Sequence, residues 1–467
     1  MFRAQARRPP RLAAAGVTLG SRTPAEHARA AGKAQRVRTP RSSLARVAGL
    51  ADRDPVEIVL ASDEGRVPDL IPVRHSRMLE SPFAFFRGTA DLQAHDLAAS
   101  ASSEIQVQCC GDAHLANFGG FATPERRLIF DINDFDETCP APFEWDLKRL
   151  AASCVLAARW RNLSDARALE IAVGATAAYR DHVTAAASMH TLDAWYASVS
   201  WVGVLEEVKE GGKPSKPGRV DVVEVEDRTN ERLFHKMTYS DGGEPRLRDQ
   251  RPLLFHPPEA DVRDIAGPFL TAYAATLRPD LRALVSRLRF VDAALKVVGV
   301  GSVGTRCFVA LMFGEHNEPL FLQIKEARSS VLAGPAGPAG AAAFASNGGR
   351  VVDGQRLMQS TSDIFLGWAE GPEGRDYYVR QLRDMKADID LQSMNVHGLA
   401  AYARICGRNP GASSRQGRRR RAHSRLRRKF ACHRQRAGQI RHRLREPGRE
   451  GLRVLPPRRP IRPGADR

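Results

Sequence analysis

Residues 111–117 read Gly-Asp-Ala-His-Leu-Ala-Asn, and residues 133–136 read Asn-Asp-Phe-Asp. An aspartate and an asparagine on one short loop can face the same small volume, and a second acidic group arrives on the hairpin that follows. Phosphoryl transfer needs such a set: one carboxylate to orient the acceptor hydroxyl, and an amide with another carboxylate to hold magnesium, whose Mg–O distances of about 2.1 Å force the ligands together. Catalysis then rests mainly on positioning and charge neutralisation. On this pattern Asp112 is the expected catalytic aspartate. Asn117 and Asp134 are the expected Mg2+ ligands, with Asp136 as a second-metal ligand. His114 reads as a brace for the loop, and Asp146 of Trp145-Asp146-Leu147 as a buried brace. An acidic surface loop could carry the short motif alone; the strand, the Asp-Phe-Asp and the Trp-Asp-Leu at this spacing argue against it.

A second constellation lies far downstream, at Gly299-x-Gly301-Ser302-x-Gly304. In a dinucleotide fold such glycines open a helix. Here they are followed by TRCFVALMF, rich in β-branched and aromatic residues, so a strand is expected. Strand, glycine turn and strand is the arrangement that covers nucleotide phosphates in kinases. Lys325, in LQIKEA, then falls on the third strand, placed to reach the α- and β-phosphates of ATP. Gly299, Gly301, Ser302, Gly304 and Lys325 are the expected nucleotide-binding residues.

In ordinary kinases the glycine turn and lysine precede the catalytic loop; here they follow it. Two further strands, DIFLGW and YYVRQL, come after Lys325, and a helix begins near Gly398. Circular permutation is the simplest account, and close termini make it acceptable. The expected fold class is therefore α+β: a protein-kinase-like two-lobed fold, circularly permuted.

The elements that must position these groups can be read from pattern. EIQVQCC (104–110) alternates as a strand, and RRLIFDINDFDE (126–137) is a strand entering an acidic turn. FEWDLKRLAASCVLAARW (143–160) has helical spacing, and Ser164 caps another helix. Residues 205–250 are charged and irregular, and residues 333–349 are of low complexity. The expected organisation is a disordered basic leader over 1–50, with order beginning near Asp54. A large lobe over 51–287 and a small β-rich nucleotide-binding lobe over 288–397 follow. A large-lobe helix starts over 398–406, and an Arg-rich tail occupies 407–467.

Charge supports that division. Of 71 basic and 53 acidic residues, the tail from residue 407 holds 21 and 3, which leaves the rest of the chain balanced at 50 of each. The net charge of +18 therefore belongs to the tail, not to the folded body. Such a tail, without apolar periodicity, cannot offset its chain entropy. Its Arg, Gly, Pro and Ala content resembles a GC-rich frame read out of phase. No apolar run is long enough for a transmembrane helix, and the N-terminus is too weakly apolar for a signal peptide. The seven cysteines have no metal-ligand spacing and no framework, which points to a reducing, cytoplasmic setting.

CGDAHLANFGGF, RRLIFDINDFDET, FEWDLKRLAAS, KVVGVGSVGTRCFVALMFG, PLFLQIKEARSSVL, VVDGQRLMQSTSDIFLGW and YYVRQLRDMK closely resemble bacterial domain-of-unknown-function family 2252, from about Gly32 to Gly407. GDAHLAN through WDL is also similar to the catalytic segment of aminoglycoside-phosphotransferase-type kinases. The resemblance implies a kinase-like protein using ATP and Mg2+ on an unknown hydroxyl acceptor. Two departures stand out. Gly349 replaces a charged or amide residue of the family, leaving Gln355 and Glu326 as candidate partners of Lys325. After YARICG the family continues with an Ala-Arg-Ala-His-Ala-Arg-like run, where this chain has GRNPGASSRQGRRRR, which implies a frameshift near Gly407. The rival functions are a catalytically inactive nucleotide-binding or scaffold protein and, least favoured, nucleic-acid binding through the tail. The tail lacks aromatic residues for base stacking, although its charge would bind polyanions nonspecifically.

Overall fold

The structure is a computed structural model that describes residues 24–46, 53–210, 230–257, 262–337, 344, 346–382, 387 and 389–409. It mixes helices with antiparallel sheets. β1 (Gln106–Cys109), β2 (Phe118–Ala122), β3 (Leu128–Ile132) and β4 (Cys139–Pro142) form two ladders. β2 pairs with β3, Phe118 opposite Ile132, and β1 pairs with β4, Cys109 opposite Cys139. This pairing positions the motifs. Residues 110–117 run from β1 to β2 and residues 133–138 run from β3 to β4, so two paired ladders lay both loops side by side. β5 (Val199–Ser200) extends the β2–β3 ladder.

β6 (Thr238–Asp241) and β7 (Glu244–Leu247) make a hairpin. β8 (Leu254–Phe255), β9 (Arg289–Lys296), β10 (Cys307–Phe313), β11 (Pro319–Glu326), β12 (Gly367–Glu370) and β13 (Asp376–Gln381) form a six-stranded sheet in the order β12-β13-β11-β10-β9-β8. The period of two divides β10 between two cores. Ala310 and Met312 pack with Phe269 and Tyr273 of helix Val262–Thr276, and Val309 and Leu311 pack with Leu233 and Met237 of helix Asn230–Met237. The glycine segment between β9 and β10 is a single 3-10 turn, Val300–Ser302, and β10 follows it directly as a strand. It opens no α-helix, as the β-branched and aromatic residues after it lead one to expect.

The largest apolar core lies among helices Glu144–Trp160, Asp165–Ala186, Trp201–Glu210 and Val396–Gly407, together with Phe130 and Ile132 of β3. Each fully buried apolar side chain there contributes about 1.5–3 kcal/mol. Ser164 Oγ caps the second of these helices by accepting from Arg167 N at 3.4 Å. Asn395 Oδ1 caps the last by accepting from Gly398 N at 2.7 Å. Tyr402 of that last helix donates its hydroxyl to Leu115 O and Phe118 O, at 3.1 and 3.0 Å. A segment from the far end of the chain thus supports the loop at 111–117.

Several expectations need correction. Order does not begin near Asp54: Pro24–Arg38 is helical, and Gln35 Nε2 donates to Glu104 Oε2 at 3.3 Å. Proline and several alanines in a basic stretch conceal a helix that docks on the folded body. The elements of the six-stranded sheet start before Leu288, since β8 and helix Val262–Thr276 belong to it. Within residues 205–250, expected to be irregular, helix Asn230–Met237 and the β6–β7 hairpin are regular. Packing continues two residues past Gly407, because Asn409 is buried and its side chain hydrogen-bonds Asp131. The tail beyond it, residues 1–23 and most of 338–345 lie outside the described residues. Among the described residues no helix is long and apolar enough to cross a membrane. Cys109, Cys110, Cys139, Cys154, Cys307 and Cys406 are buried and free.

Candidate active site

The loop after β1 turns at Gly111, whose φ is +86°. A Cβ there would lie 2.1 Å from Glu137 O, so the two acidic loops touch at a point only glycine allows. Asp146, in the first turn of helix Glu144–Trp160, accepts from Cys110 N at 2.8 Å and Gly111 N at 3.0 Å. Burial pushes its carboxyl up to about 6, against the lowering effect of those two N–H groups. It is a brace, as expected.

One helical turn on, Arg149 reaches the loop. Its Nε donates to Asp112 Oδ1 at 2.7 Å, while Nη1 and Nη2 donate to Gln93 Oε1 and Phe86 O. The guanidinium also stacks on the Phe86 ring, 3.9 Å from its centroid. Asp112 is therefore fixed by an arginine with little freedom, and its other oxygen lies 3.6 Å from His114 Nε2. His114 is held neutral, its pKa driven down to about 4 chiefly by burial. A neutral, buried imidazole fits the bracing role. Asn117 Nδ2 donates to Asp112 O at 2.9 Å and Asp134 O at 3.2 Å, tying the two motif loops together.

Lys325 enters from the other sheet. Its Nζ lies 3.3 Å from Asp134 Oδ1 and in direct contact with Asp136 Oδ2. Burial disfavours the ammonium, but Asp134 and Asp136 overcome this and raise its pKa well above the ordinary lysine value. Asp136 is further held by Tyr378, whose hydroxyl donates at 2.8 Å, and by Ser302, whose hydroxyl donates at 3.0 Å. Register explains the neighbours. Lys325 of β11 stands opposite Tyr378 of β13, and Gln323 opposite Arg380, so alternate residues share one face. Arg380 donates to Gln323 Oε1 at 2.8 Å and to Asn133 O at 2.9 Å.

Asp112, Asn117, Asp134, Asp136, Gly299, Gly301, Ser302 and Lys325 all line one cleft of about 1240 Å3. Gly304 does not line it; it supplies the φ of +88° that turns the chain into β10. Neither expected partner of Lys325 takes that role. Glu326 accepts from Arg306 N and pairs with Arg375, and Gln355 donates to Gln359. The partners are the acidic hairpin residues themselves.

Among the described residues no group of three or more His, Cys, Asp and Glu side chains could hold a metal ion. Magnesium does not need one: it is commonly held by one or two carboxylates and completed by substrate phosphates and water. The carboxylates of Asp134 and Asp136, facing one ammonium, are a hard-oxygen set of that kind. The sequence motifs do not single out Arg149, Tyr378, Arg380 and Glu137. The signals for them were present: Arg149 lies three residues after Asp146 on a helix, and Tyr378 and Arg380 alternate on a strand already expected.

The model of a family of uncharacterized proteins conserved in bacteria, DUF2252, matches residues 66–436. The chain belongs to this family. The matched span holds every residue of the cleft cluster described above. It starts later than Gly32 and ends beyond Gly407, so the match itself shows no break at that glycine. No curated protein and no solved structure matches the chain.

Proposed function

We propose that this DUF2252 chain is an ATP-dependent phosphotransferase with a kinase-like, two-lobed and circularly permuted arrangement. The observation that carries it is Lys325. It sits on the third strand around a glycine turn, is buried, and is paired with Asp134 and Asp136 in the cleft that also holds Asp112 and Asn117. In this reading Gly299, Gly301 and Ser302 cover the nucleotide phosphates and Lys325 binds them. Asn117, Asp134 and Asp136 hold Mg2+, which supplies neutralisation of phosphate charge. Asp112 orients the acceptor hydroxyl. The acceptor oxygen bonds to the terminal phosphorus, the bond to the ADP oxygen breaks, and the hydroxyl proton leaves through Asp112 to solvent. Permutation is supported by helix Asn347–Met358, which follows β11 as the small lobe of a kinase requires, and by helix Val396–Gly407, which joins the core of helix Asp165–Ala186.

One observation favours a second reading, nucleotide binding without transfer: the Asp112 carboxylate is already ion-paired to Arg149. Calorimetric titration with Mg-ATP and a phosphate-transfer assay separate the two. The transferase reading expects Mg-ATP to bind, Lys325→Ala to weaken binding at least tenfold, and Asp112→Asn to abolish turnover while sparing binding. Binding with no turnover in the parent, even with broad mixtures of hydroxyl acceptors, selects the second reading. Absence of Mg-ATP binding ends both.

We also infer a change of reading frame close to Gly407. Codons for residues 408–416, Arg-Asn-Pro-Gly-Ala-Ser-Ser-Arg-Gln, can be chosen so that, one nucleotide on, they read Gly-Thr-Leu-Ala-Arg-Ala-His-Ala and enter an arginine codon. That restores the Ala-Arg-Ala-His-Ala-Arg-like run of the family. Sequencing the gene across these codons tests it; an unaltered frame with codons that cannot yield this run refutes it.

A further inference from the structure

The cleft extends past Asp112 towards helices Pro55–Ala61, Ile71–Met78 and Pro82–Arg87, and its wall there contains two guanidiniums with unusual company. Arg66 donates through Nε to Ser62 O at 2.9 Å and through Nη1 to Gly301 O and Val303 O, at 3.2 and 2.6 Å. Arg328, just past β11, donates through Nη1 to Ser62 O at 3.4 Å and through Nη2 to Glu64 O at 2.6 Å. Both converge on the same backbone segment, and both bond only to main-chain carbonyls. Among the described residues neither has a carboxylate within ion-pair distance, and Arg66 Nη2 and Arg328 Nε have no acceptor. The contrast with their neighbour is plain: Arg74, on the same wall, is paired with Asp63 at 2.6 Å.

Two like charges brought together and partly desolvated, with no carboxylate in ion-pair contact among the described residues, are costly. Burial, Arg74 and Arg328 lower the pKa of Arg66 to about 10, against the more distant carboxylates of Asp63 and Glu137. An oxyanion is the group that relieves this, because a guanidinium offers parallel N–H donors matched to carboxylate and phosphate oxygens. The position also matters. Arg66 grips the carbonyl side of the glycine turn, whereas Ser302 of that turn faces Asp136 and Lys325. An anion on Arg66 and Arg328 would therefore meet the turn at the Gly301 and Val303 carbonyls, not at the Ser302 hydroxyl that bonds Asp136 beside the lysine of the transferase reading.

We propose that Arg66 and Arg328 form a subsite for an anionic group, carboxylate or phosphate, carried by the phosphoryl acceptor. The acceptor class is then a hydroxylated acid or a phosphorylated alcohol. This rests on the transferase reading above.

The test uses the full chain, inorganic phosphate as probe, and a non-hydrolysable ATP analogue with Mg2+ to fill the nucleotide side. Phosphate binding, read by calorimetry, is expected with the analogue present and is expected to weaken at least tenfold in Arg328→Gln, while the analogue binds the variant within twofold of the parent. Arg328→Lys keeps the charge without the fork and is expected to fall between. Arg328 is preferred to Arg66 because its loss leaves the glycine turn held; thermal melting of each variant checks folding. If phosphate binds only when the analogue is absent, and Arg328→Gln weakens the analogue instead, the arginines serve the nucleotide and the proposal is overturned. Equal phosphate binding by parent and variant, or none by the parent, also overturns it. If the analogue fails to bind the parent but phosphate binding still depends on Arg328, the anion subsite stands and the transferase reading is what fails.

Discussion

The loop at residues 110–117 and the glycine turn at residues 299–305 face one cleft, but they are held by opposite means. Most of the loop's braces come from nearby sequence, from Asp146 and Arg149 of the following helix and Asn117 of the loop itself, with Tyr402 added from the far end of the chain. The turn takes its braces from far upstream. Val67 N donates to Gly304 O at 2.8 Å, Arg66 holds Gly301 O and Val303 O, and Arg77 donates to Val298 O at 2.7 Å. Short closures cost less chain entropy than long ones. The loop is thus held largely by short closures, whereas the turn adds to its own local hydrogen bonds several braces that exist only when distant upstream segments dock on it. The proposed catalytic aspartate, Asp112, sits on the locally braced side, and the glycines proposed to cover a nucleotide sit on the side that depends on distant segments.

The sharpest way to break this contrast is to place the same methyl group on both sides. Gly111→Ala puts a Cβ into Glu137 O at a positive φ, and it is expected to cost more than about 4 kcal/mol. Gly299→Ala has a φ of −61° and open space where its Cβ would go, so a change below about 1 kcal/mol is expected. Urea unfolding of the two variants decides. Similar losses in both would show that the loop is not the more tightly built region.

Glu137 accepts from Val331 N at 2.7 Å, and burial raises its carboxyl to about 7. A carboxyl whose pKa is raised on folding binds its proton more tightly in the folded state. Its contribution is complete below its unfolded value near pH 4 and is lost as pH rises through 7. The size is about 3 kcal/mol at about 1.4 kcal/mol per unit. Asp146, raised to about 6, acts in the same direction. Glu137→Gln should therefore flatten the fall in stability between pH 4 and 8. A variant whose pH profile superimposes on that of the parent would remove Glu137 from the account.

Lys325 joins the two regions, and its removal is expected to cost about 2 kcal/mol. That is less than a fully buried broken pair, because Asp134 is 39% exposed and can be resolvated. Lys325→Met should weaken Mg-ATP binding in the same protein. Loss of stability without loss of nucleotide affinity would make the lysine a strut rather than a ligand.

Legibility followed the same division. The loop motifs were readable because their residues are close in sequence and the alternation of β1 and β3 fixes where they point. Lys325 and the strand–turn–strand around it were readable from the run of β-branched residues. The pairing of Lys325 with Asp134 and Asp136 was not, since nothing local couples residues that far apart, and both candidates chosen for it, Glu326 and Gln355, are engaged elsewhere. Arg66 and Arg77 escaped for the same reason: an arginine that holds a distant carbonyl has the same local pattern as a solvated one. Helix Pro24–Arg38 was missed because its docking depends on Glu104 and Ser102, not on a strong stripe of its own.

The smallest change tests the weakest tie. Ser302 donates one hydrogen bond to Asp136, the hydroxyl link from the glycine turn to the acidic hairpin. A hydrogen bond to a charged group contributes about 1.5–3 kcal/mol when fully buried, and less where water can replace it. Asp136 also keeps Tyr378 and Lys325, so Ser302→Ala should cost only about 1 kcal/mol. Its effect on ligand binding carries more information than its effect on stability. If the hydroxyl merely latches the empty turn to the hairpin, phosphates must break that bond to enter, and Ser302→Ala should bind Mg-ATP as tightly as the parent or slightly more tightly. If the hydroxyl itself meets the nucleotide, affinity should fall severalfold while melting is almost unchanged. Calorimetry on parent and variant at one salt concentration, with melting measured alongside, separates a latch from a ligand. A large loss of stability would contradict both, and would mean that the turn supports the fold as firmly as the loop at Gly111 does.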